Sequence, residues 1–203
     1  PTLSRNHVSN NPKAFAANIE WVFRMVCLLG IPAAVGLGVM ARPILTVIFQ
    51  RGAFTAETAI MASYSLTAYS FGLLSFMLVK ILAPGFYSRQ DTKTPVKFGI
   101  WCMVANMVFN VVLAIPFGYV GLAIATSMSA TLNAALLYIT LHRQGVFALS
   151  RTSALFIARV IIASAAMGGL IYYRDQGLAF FELSLSAQML EVGITISLSV
   201  ILF

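Results

Sequence analysis

Apolar runs long enough to cross a lipid bilayer recur along this sequence from about residue 20 to its last residue. A helix needs about 20 consecutive apolar residues to span the hydrocarbon core. Hydrophobic residues make up 60% of the 203 residues and charged residues only 9%, whereas an average soluble domain has roughly 25% charged residues. The alternating segments of about ten residues that are typical of a transmembrane β-barrel do not occur. The pattern predicts an all-α, polytopic bundle of transmembrane helices.

Polar segments between the apolar runs predict about six spans, at about 20–49, 57–83, 95–115, 119–142, 153–173 and from 187 onward. Residues 1–19 are expected to form a cytoplasmic loop and an interfacial helix. Residues 20–142 hold four spans, and residues 143–203 hold two more, the last one truncated. Because the chain begins without Met or a signal peptide and stops inside an apolar run, we expect a piece of a longer membrane protein.

One segment between the second and third spans is too polar to lie in the bilayer. Residues 84–97 read PGFYSRQDTKTPVK and contain three basic residues and one acid. Pro84 and Gly85 are expected to end the preceding helix, because proline lacks an N–H and glycine tolerates positive φ. Thr94 followed by Pro95 is typical of a new helix start. These features predict a short, basic, structured hinge.

The basic residues predict the side of the membrane that each loop faces. If the spans alternate in direction, the loops on the side of the hinge (1–19, 84–97 and 143–152) hold seven Lys or Arg residues, and those on the other side hold three. Since cytoplasmic loops carry an excess of Lys and Arg, the hinge is predicted to be cytoplasmic. The net charge of +7 fits orientation signals and lipid-headgroup contacts, and it does not indicate nucleic-acid binding.

Three basic residues lie within or next to predicted spans: Lys80, Arg24 and Arg159. Charge at membrane depth is costly unless it is paired or hydrated, so such residues are often functional. The simpler alternative is that these long side chains reach the headgroup region from the helix ends.

Two asparagines, Asn106 and Asn110, are spaced i, i+4 and therefore share one face of the third span. Thr126 begins a region of small and hydroxyl residues in the next span. The connection near Pro116 is short, so the two helices are expected to run antiparallel with these polar faces in contact. Amide and hydroxyl oxygens can coordinate a hard cation such as Na⁺. The alternative is a structural hydrogen bond worth about 1 kcal/mol, which we expect to dominate because no carboxylate is present.

Motifs of soluble enzymes do not occur in this sequence. There is no P-loop, GxSxG or HExxH, and the six acidic residues are scattered singly. Cys27 and Cys102 lie inside apolar runs, which is typical of small buried residues, and they have no disulfide or metal-site spacing. The sequence predicts neither an enzymatic step nor a resident cofactor.

Two stretches of sequence resemble one known family. Residues 83–97, APGFYSRQDTKTPVK, resemble the corresponding loop of the MurJ/MviN family of bacterial lipid II flippases. Residues 49–59, FQRGAFTAETA, match the pattern FxxGxFT followed by a helix in that family. The resemblance covers essentially the whole chain and weakens after about residue 150. It implies that the six spans are helices nine to fourteen of a fourteen-helix transporter in the multidrug/oligosaccharidyl-lipid/polysaccharide exporter superfamily.

The resemblance also implies a function, since members of this family move the undecaprenyl-pyrophosphate-linked peptidoglycan precursor across the bacterial inner membrane. Lipid II and membrane lipids are then expected partners, with other cell-wall synthesis proteins as further candidates, at a multi-pass inner-membrane location. The basic residues of the hinge and of the predicted cytoplasmic ends of the spans become candidate contacts for the pyrophosphate: Lys80, Arg89, Lys93, Arg24 and Arg159. The last two spans are expected to border a groove for the polyprenyl tail.

In some members of the family a sodium site uses polar residues at positions that match Asn106, Asn110 and Thr126. Asn110 stands where those members have an acid, so Na⁺ coupling is only weakly supported for this chain. Two alternatives remain open. One is a drug or polysaccharide exporter of the same superfamily, which buried acidic residues in the spans would favour. The other is a membrane enzyme of lipid-linked sugar metabolism, which a cluster of interfacial Asp or His would favour.

Overall fold

The computed structural model describes residues 12–49, 56–176, 187, 190 and 193–195. The regular elements of this part of the chain are all α-helices: α1 (Pro12–Val39), α2 (Ala41–Phe49), α3 (Ala56–Tyr87), a helical hairpin (Lys93–Arg143) and α6 (Arg151–Gln176). Gly118 has non-helical backbone angles (φ 55°, ψ −134°) and divides the hairpin. Its two arms are α4 (Lys93–Phe117) and α5 (Tyr119–Arg143).

Within the described residues, five helices are long and apolar enough to cross a membrane: α1, α3, α4, α5 and α6. The predicted all-α transmembrane bundle is therefore confirmed. The sixth predicted span, from residue 187 onward, lies almost entirely outside the described residues.

The boundary expected at residue 20 is absent from α1. Pro12 occupies the helix start, where its missing N–H leaves no partner unsatisfied, and the helix then continues to Val39. Phe15, Ile19 and Phe23 follow one another at i, i+4 spacing and are all buried. The helix therefore packs against the same core on both sides of residue 20. The segment 12–19 is the first part of α1 and not a separate interfacial helix.

The first predicted span, 20–49, is divided where it contains Arg42-Pro43. The helix is interrupted at Met40, whose N–H still donates to the Gly36 carbonyl at 2.9 Å. Pro43 accounts for the break, because it has no N–H for the carbonyl four residues earlier, at Val39, and its ring crowds that carbonyl. Pro32, in contrast, lies inside α1 without ending it.

The predicted hinge at 84–97 is shorter in the structure, because α3 passes through Pro84 and ends at Tyr87. The expectation that Pro84 and Gly85 end the helix is wrong. Proline removes one backbone hydrogen bond from this turn, but Leu82 and Phe86 are both fully buried (0% exposed). Their burial outweighs the local helix-breaking preference, and the connecting loop is reduced to residues 88–92.

This loop begins with a Schellman turn at the end of α3. Gln90 adopts the left-handed conformation (φ 61°), and the Asp91 N–H donates to the Phe86 carbonyl at 3.1 Å, as that motif requires. The end of α5 has the same construction, with Gly145 at φ 68°. Glycine is the usual residue at this position because it has no Cβ, so α3 ends with a less favourable residue than α5.

The start of α4 differs from the expected cap at Thr94. Asp91 Oδ1 accepts a hydrogen bond from the Thr94 N–H at 3.1 Å, so Asp91 supplies the capping oxygen. Hydrogen bonds from the Thr94 side chain and backbone lower the pKa of the Asp91 carboxyl below its ordinary value. Pro95 lies in the first turn, where the backbone N–H needs no helical partner.

The main core lies at the hinge end of the bundle and joins α1, α3, α5 and α6: Phe15, Ile19, Phe23, Cys27, Ile31, Leu82, Phe86, Leu137, Leu141, Phe147 and Val160. A smaller cluster of Met40, Met167 and Ile171 lies where α1 meets the second half of α6. Away from the main core, α3 and α5 are joined by polar contacts. Ser75 and Thr131 hydrogen-bond at 2.9 Å, and Ser127 donates to the Ala68 carbonyl at 2.7 Å.

Candidate functional site

A pocket of about 410 Å³ lies between α3, α4 and α5. Its lining combines apolar side chains with five polar ones: Lys80, Asn106, Thr126, Ser129 and Asn133. The structure thus brings two residues of the predicted cation site together with a residue predicted to contact an anionic group.

The hairpin of α4 and α5 positions one side of this pocket. A Cβ at Gly121 would lie 2.1 Å from the Leu113 carbonyl oxygen, so only glycine allows the two arms to approach so closely after the turn. Further along the hairpin, the Ser129 hydroxyl donates to the Cys102 carbonyl at 2.9 Å. These contacts hold the arms antiparallel, as the short connection predicts.

The predicted polar residues occupy this hairpin without bonding directly across it. Asn110 Nδ2 donates to Asn106 Oδ1 at 3.0 Å, one turn away on the same helix. The Thr126 hydroxyl donates to the Leu122 carbonyl of its own helix at 2.8 Å. Among the described residues, Thr126 shares the pocket with Asn106 but forms no hydrogen bond with either asparagine.

Asn133 belongs to the polar region that begins at Thr126, and it lines the pocket although the predicted cation site comprised only Asn106, Asn110 and Thr126. Its Oδ1 is buried and accepts no hydrogen bond from the described residues, and the same is true of Asn110 Oδ1. A spacing signal for Asn133 was present, since it follows Thr126 by seven residues and therefore lies on the same helix face. Ser129, three residues after Thr126, shares that face.

The hinge end of the bundle carries most of the basic residues of the described chain. Arg89 Nη1 donates to Gln144 Oε1 at 2.6 Å, which joins the ends of α3 and α5. Four further basic residues at this end are exposed: Lys93, Lys97, Arg143 and Arg151. The Lys97 ammonium lies over the Trp101 ring at 4.8 Å from its centroid. The result is a positively charged surface next to the pocket wall that contains Lys80.

Arg24 lies in a different environment, within a polar cluster that joins α1 to the start of α6. Its Nη2 is 3.3 Å from Glu20 Oε1, and its Nε donates to the Ser153 hydroxyl. The same Glu20 oxygen accepts hydrogen bonds from the Ser150 N–H at 3.2 Å and from the hydroxyl groups of Ser150 and Ser153. A carboxylate at a helix N-terminus is favourable because it meets the unpaired N–H groups there.

The partners of Arg24 could be predicted only in part from the sequence. The i, i+4 spacing of Glu20 and Arg24 is a recognisable signal for an ion pair, but their contact with Ser150 and Ser153 crosses about 130 residues. Arg159, the remaining candidate, lies on an exposed face of α6 and does not line the pocket.

Comparison with known proteins identifies relatives over nearly the whole chain. The family model of the lipid II flippase MurJ matches residues 1–191. The probable lipid II flippase MurJ of Vibrio cholerae is 53% identical over 201 residues, which are 98% of this chain and 38% of that protein. The protein of the same name from Haemophilus influenzae is 54% identical over 179 residues, which are 85% of this chain and 35% of that protein. The chain thus spans little more than a third of the length of these relatives.

A solved structure shows the same fold. The lipid II flippase MurJ in an inward closed conformation superposes with a TM-score of 0.77 at 23% identity, over 98% of this chain and 40% of that one. Because the family model covers more than nine-tenths of the chain and relatives exceed 50% identity, this chain belongs to the MurJ lipid II flippase family.

Proposed function

We propose that this chain acts as part of a lipid II flippase, which moves the undecaprenyl-pyrophosphate-linked peptidoglycan precursor across the inner membrane. The observation that carries the proposal is the family match, together with relatives that bear that function in their names at up to 54% identity. Moving a lipid headgroup requires no bond to be made or broken, which agrees with a transporter and not an enzyme. It does require cationic and polar groups that the headgroup can reach among apolar helices, and the pocket supplies such groups, with the exposed Lys80 in its wall.

The charged surface at the hinge end suits the anionic part of this cargo. A pyrophosphate carries several negative charges, and clustered positive charge raises the local concentration of such a ligand. In this proposal Arg89 and Lys93 attract the pyrophosphate at the entrance, and Lys80 receives it at the pocket. Charge-assisted hydrogen bonds from these side chains are stronger than neutral ones.

The other two basic candidates have different roles in this proposal. Arg24 is engaged with Glu20 and Ser153, so we assign it to holding α6 against α1. Arg159 is exposed on α6 and remains available to the cargo or to lipid headgroups. The positive-inside bias favours a cytoplasmic location for the basic end in the inner membrane, and other cell-wall synthesis proteins are proposed as further partners.

The test is lipid II translocation by the intact transporter carrying Lys80→Gln. Losing a charge-assisted hydrogen bond is expected to lower the translocation rate roughly tenfold, while the amount of folded protein in the membrane stays the same. The control is Arg42→Gln, which removes an exposed arginine of α2 outside both the pocket and the charged surface and should leave the rate near that of the unmodified protein. Normal translocation by the Lys80→Gln protein would contradict a direct role of this side chain.

A further inference from the structure

The pocket between α3, α4 and α5 contains hydroxyl oxygens whose own protons are already donated to backbone carbonyl groups. The Thr126 hydroxyl proton is donated to the Leu122 carbonyl, and the Ser129 hydroxyl proton is donated to the Cys102 carbonyl. A hydroxyl group has one donor and two acceptor positions. Both side chains therefore offer the pocket acceptors only.

The asparagines contribute further acceptor oxygens, and each also carries two N–H donors. Among the described residues, the buried polar atoms without a partner in and beside the pocket are both oxygens, Asn133 Oδ1 and Asn110 Oδ1. Asn106 Oδ1 accepts one hydrogen bond, from Asn110, and retains a second lone pair. A buried carbonyl oxygen without a donor is unfavourable, so the pocket requires a donor or a cation.

A metal cation fits this pocket poorly. The residues that line it include no carboxylate, so nothing there neutralises the charge of an ion. Lys80 lies in the same wall, and its ammonium group would repel a metal ion at close range. The residues present thus disagree with the sodium site that the family resemblance implies for some members.

We propose that the cation of this pocket is the Lys80 ammonium group itself. This structure shows no hydrogen bond between Lys80 and Asn133, but the Lys80 side chain is exposed and can rotate towards the pocket. In this proposal the ammonium group donates to Asn133 Oδ1 and to the neighbouring hydroxyl oxygens without cargo, and it turns to the anionic headgroup when the cargo arrives. An ammonium group has three rotatable N–H donors on a flexible four-carbon stem, which suits several acceptors at once. The part of this inference that concerns cargo rests on the proposed function, whereas the resting contact does not.

A double-mutant cycle on the intact protein in detergent, without cargo, tests the resting contact. Lys80→Met removes the ammonium group and keeps an apolar stem, and Asn133→Leu removes the acceptor. Each single variant is expected to unfold at a lower temperature than the unmodified protein. The double variant is expected to regain most of that loss, because replacing both partners by apolar groups leaves neither one unpaired. Additive effects of the two substitutions would overturn the proposal.

The matched control is Lys97→Met, which changes a lysine outside the pocket and should combine additively with Asn133→Leu.

A second measurement compares thermal unfolding in sodium chloride and in choline chloride at equal ionic strength. The unmodified protein is expected to unfold at the same temperature in both salts. A sodium-specific rise that Asn133→Leu removes would show that the pocket holds an inorganic ion, and would also overturn the proposal.

Failure of this inference is distinguishable from failure of the proposed function. The double-mutant cycle uses no cargo, so an additive result overturns the assignment of Lys80 to the pocket and leaves lipid II transport untouched. Absence of lipid II translocation by the unmodified intact protein would overturn the proposed function. Non-additive effects of the two substitutions on stability would still support the contact between Lys80 and Asn133 in that case.

Discussion

Arg89 Nη1 donates a hydrogen bond to Gln144 Oε1 across 2.6 Å, and each residue immediately precedes the left-handed residue that ends its helix. The ends of α3 and α5 therefore lie side by side, with their unpaired carbonyl groups at the same end of the bundle. A guanidinium group is favourable there because helix C-termini carry partial negative charge. One hydrogen bond to Gln144 uses one of five N–H donors of Arg89, so the others remain for an anionic ligand.

Two substitutions can separate the effect of the Arg89 charge from the effect of its hydrogen bond to Gln144. Gln144→Ala should lower the free energy of unfolding by less than about 1 kcal/mol, because the hydrogen bond is exposed to water. Arg89→Ala should have a similarly small effect on stability but a larger effect on transport, because it also removes the positive charge. The measurements are denaturant unfolding and lipid II translocation of both variants. An equal loss of transport in the two would indicate that the contact, and not the charge, is what matters.

Hydropathy predicted the number and class of the described spans because each helix must satisfy its own backbone in lipid. The hinge boundaries were less predictable. Pro84 is a strong local signal, but the complete burial of Phe86 against α1 and α5 decides where α3 ends. That burial depends on contacts between helices, which local sequence does not encode.

The sequence predicted one part of the candidate site and not another. The spacing of Asn106 and Asn110 predicted a shared face, and the structure joins them by a hydrogen bond. The presence of Lys80 in the same pocket depends on how α3 is aligned against the hairpin. No periodicity within one helix specifies that alignment, so the combination of an ammonium group with unpaired oxygens became visible only in the folded chain.

The orientation of the basic end can be measured with two single cysteines, one at the start of α3 and one in the loop that follows α3. Both Thr92 and Glu57 are exposed, and the buried Cys27 and Cys102 are first replaced by Ala. An impermeant thiol reagent applied to intact cells should label the Glu57→Cys protein and spare the Thr92→Cys protein, because the hinge is predicted to be cytoplasmic. Permeabilised cells, in which both should react, provide the control. Labelling of the Thr92→Cys protein alone in intact cells would reverse the orientation.

The Asp91 cap predicts a stability that depends on pH. The lowered pKa of this carboxyl means that the ionised form favours the folded state. Its contribution is complete above the ordinary pKa of Asp, about 4, and is lost as the pH falls through the lower pKa of the folded state. Asp91→Ala should lower the free energy of unfolding by about 1 kcal/mol at neutral pH.

Asn is the matched control for this cap, because its amide oxygen can accept the same hydrogen bond without a titrating charge. The Asp91→Asn protein should stay close to the unmodified protein at neutral pH, and the part of the acid destabilisation that comes from Asp91 should disappear. Unfolding curves of the three proteins between pH 7 and acid measure both effects. An identical pH profile for Asp91→Asn and the unmodified protein would remove Asp91 from this account.

The hydrogen bond between Asn110 and Asn106 predicts a structural role for the pair. Water is scarce inside a bundle of transmembrane helices, so the amide groups must find partners in each other. Asn110→Ala removes the 3.0 Å bond and should lower the stability of the intact protein in detergent by about 1 kcal/mol. Thr126→Val should have a smaller effect, because the Thr126 hydroxyl bonds to its own helix.

Transport should show little dependence on sodium in either variant. A steep sodium dependence of the unmodified protein, abolished by Asn110→Ala without loss of stability, would instead make this pair part of an ion site.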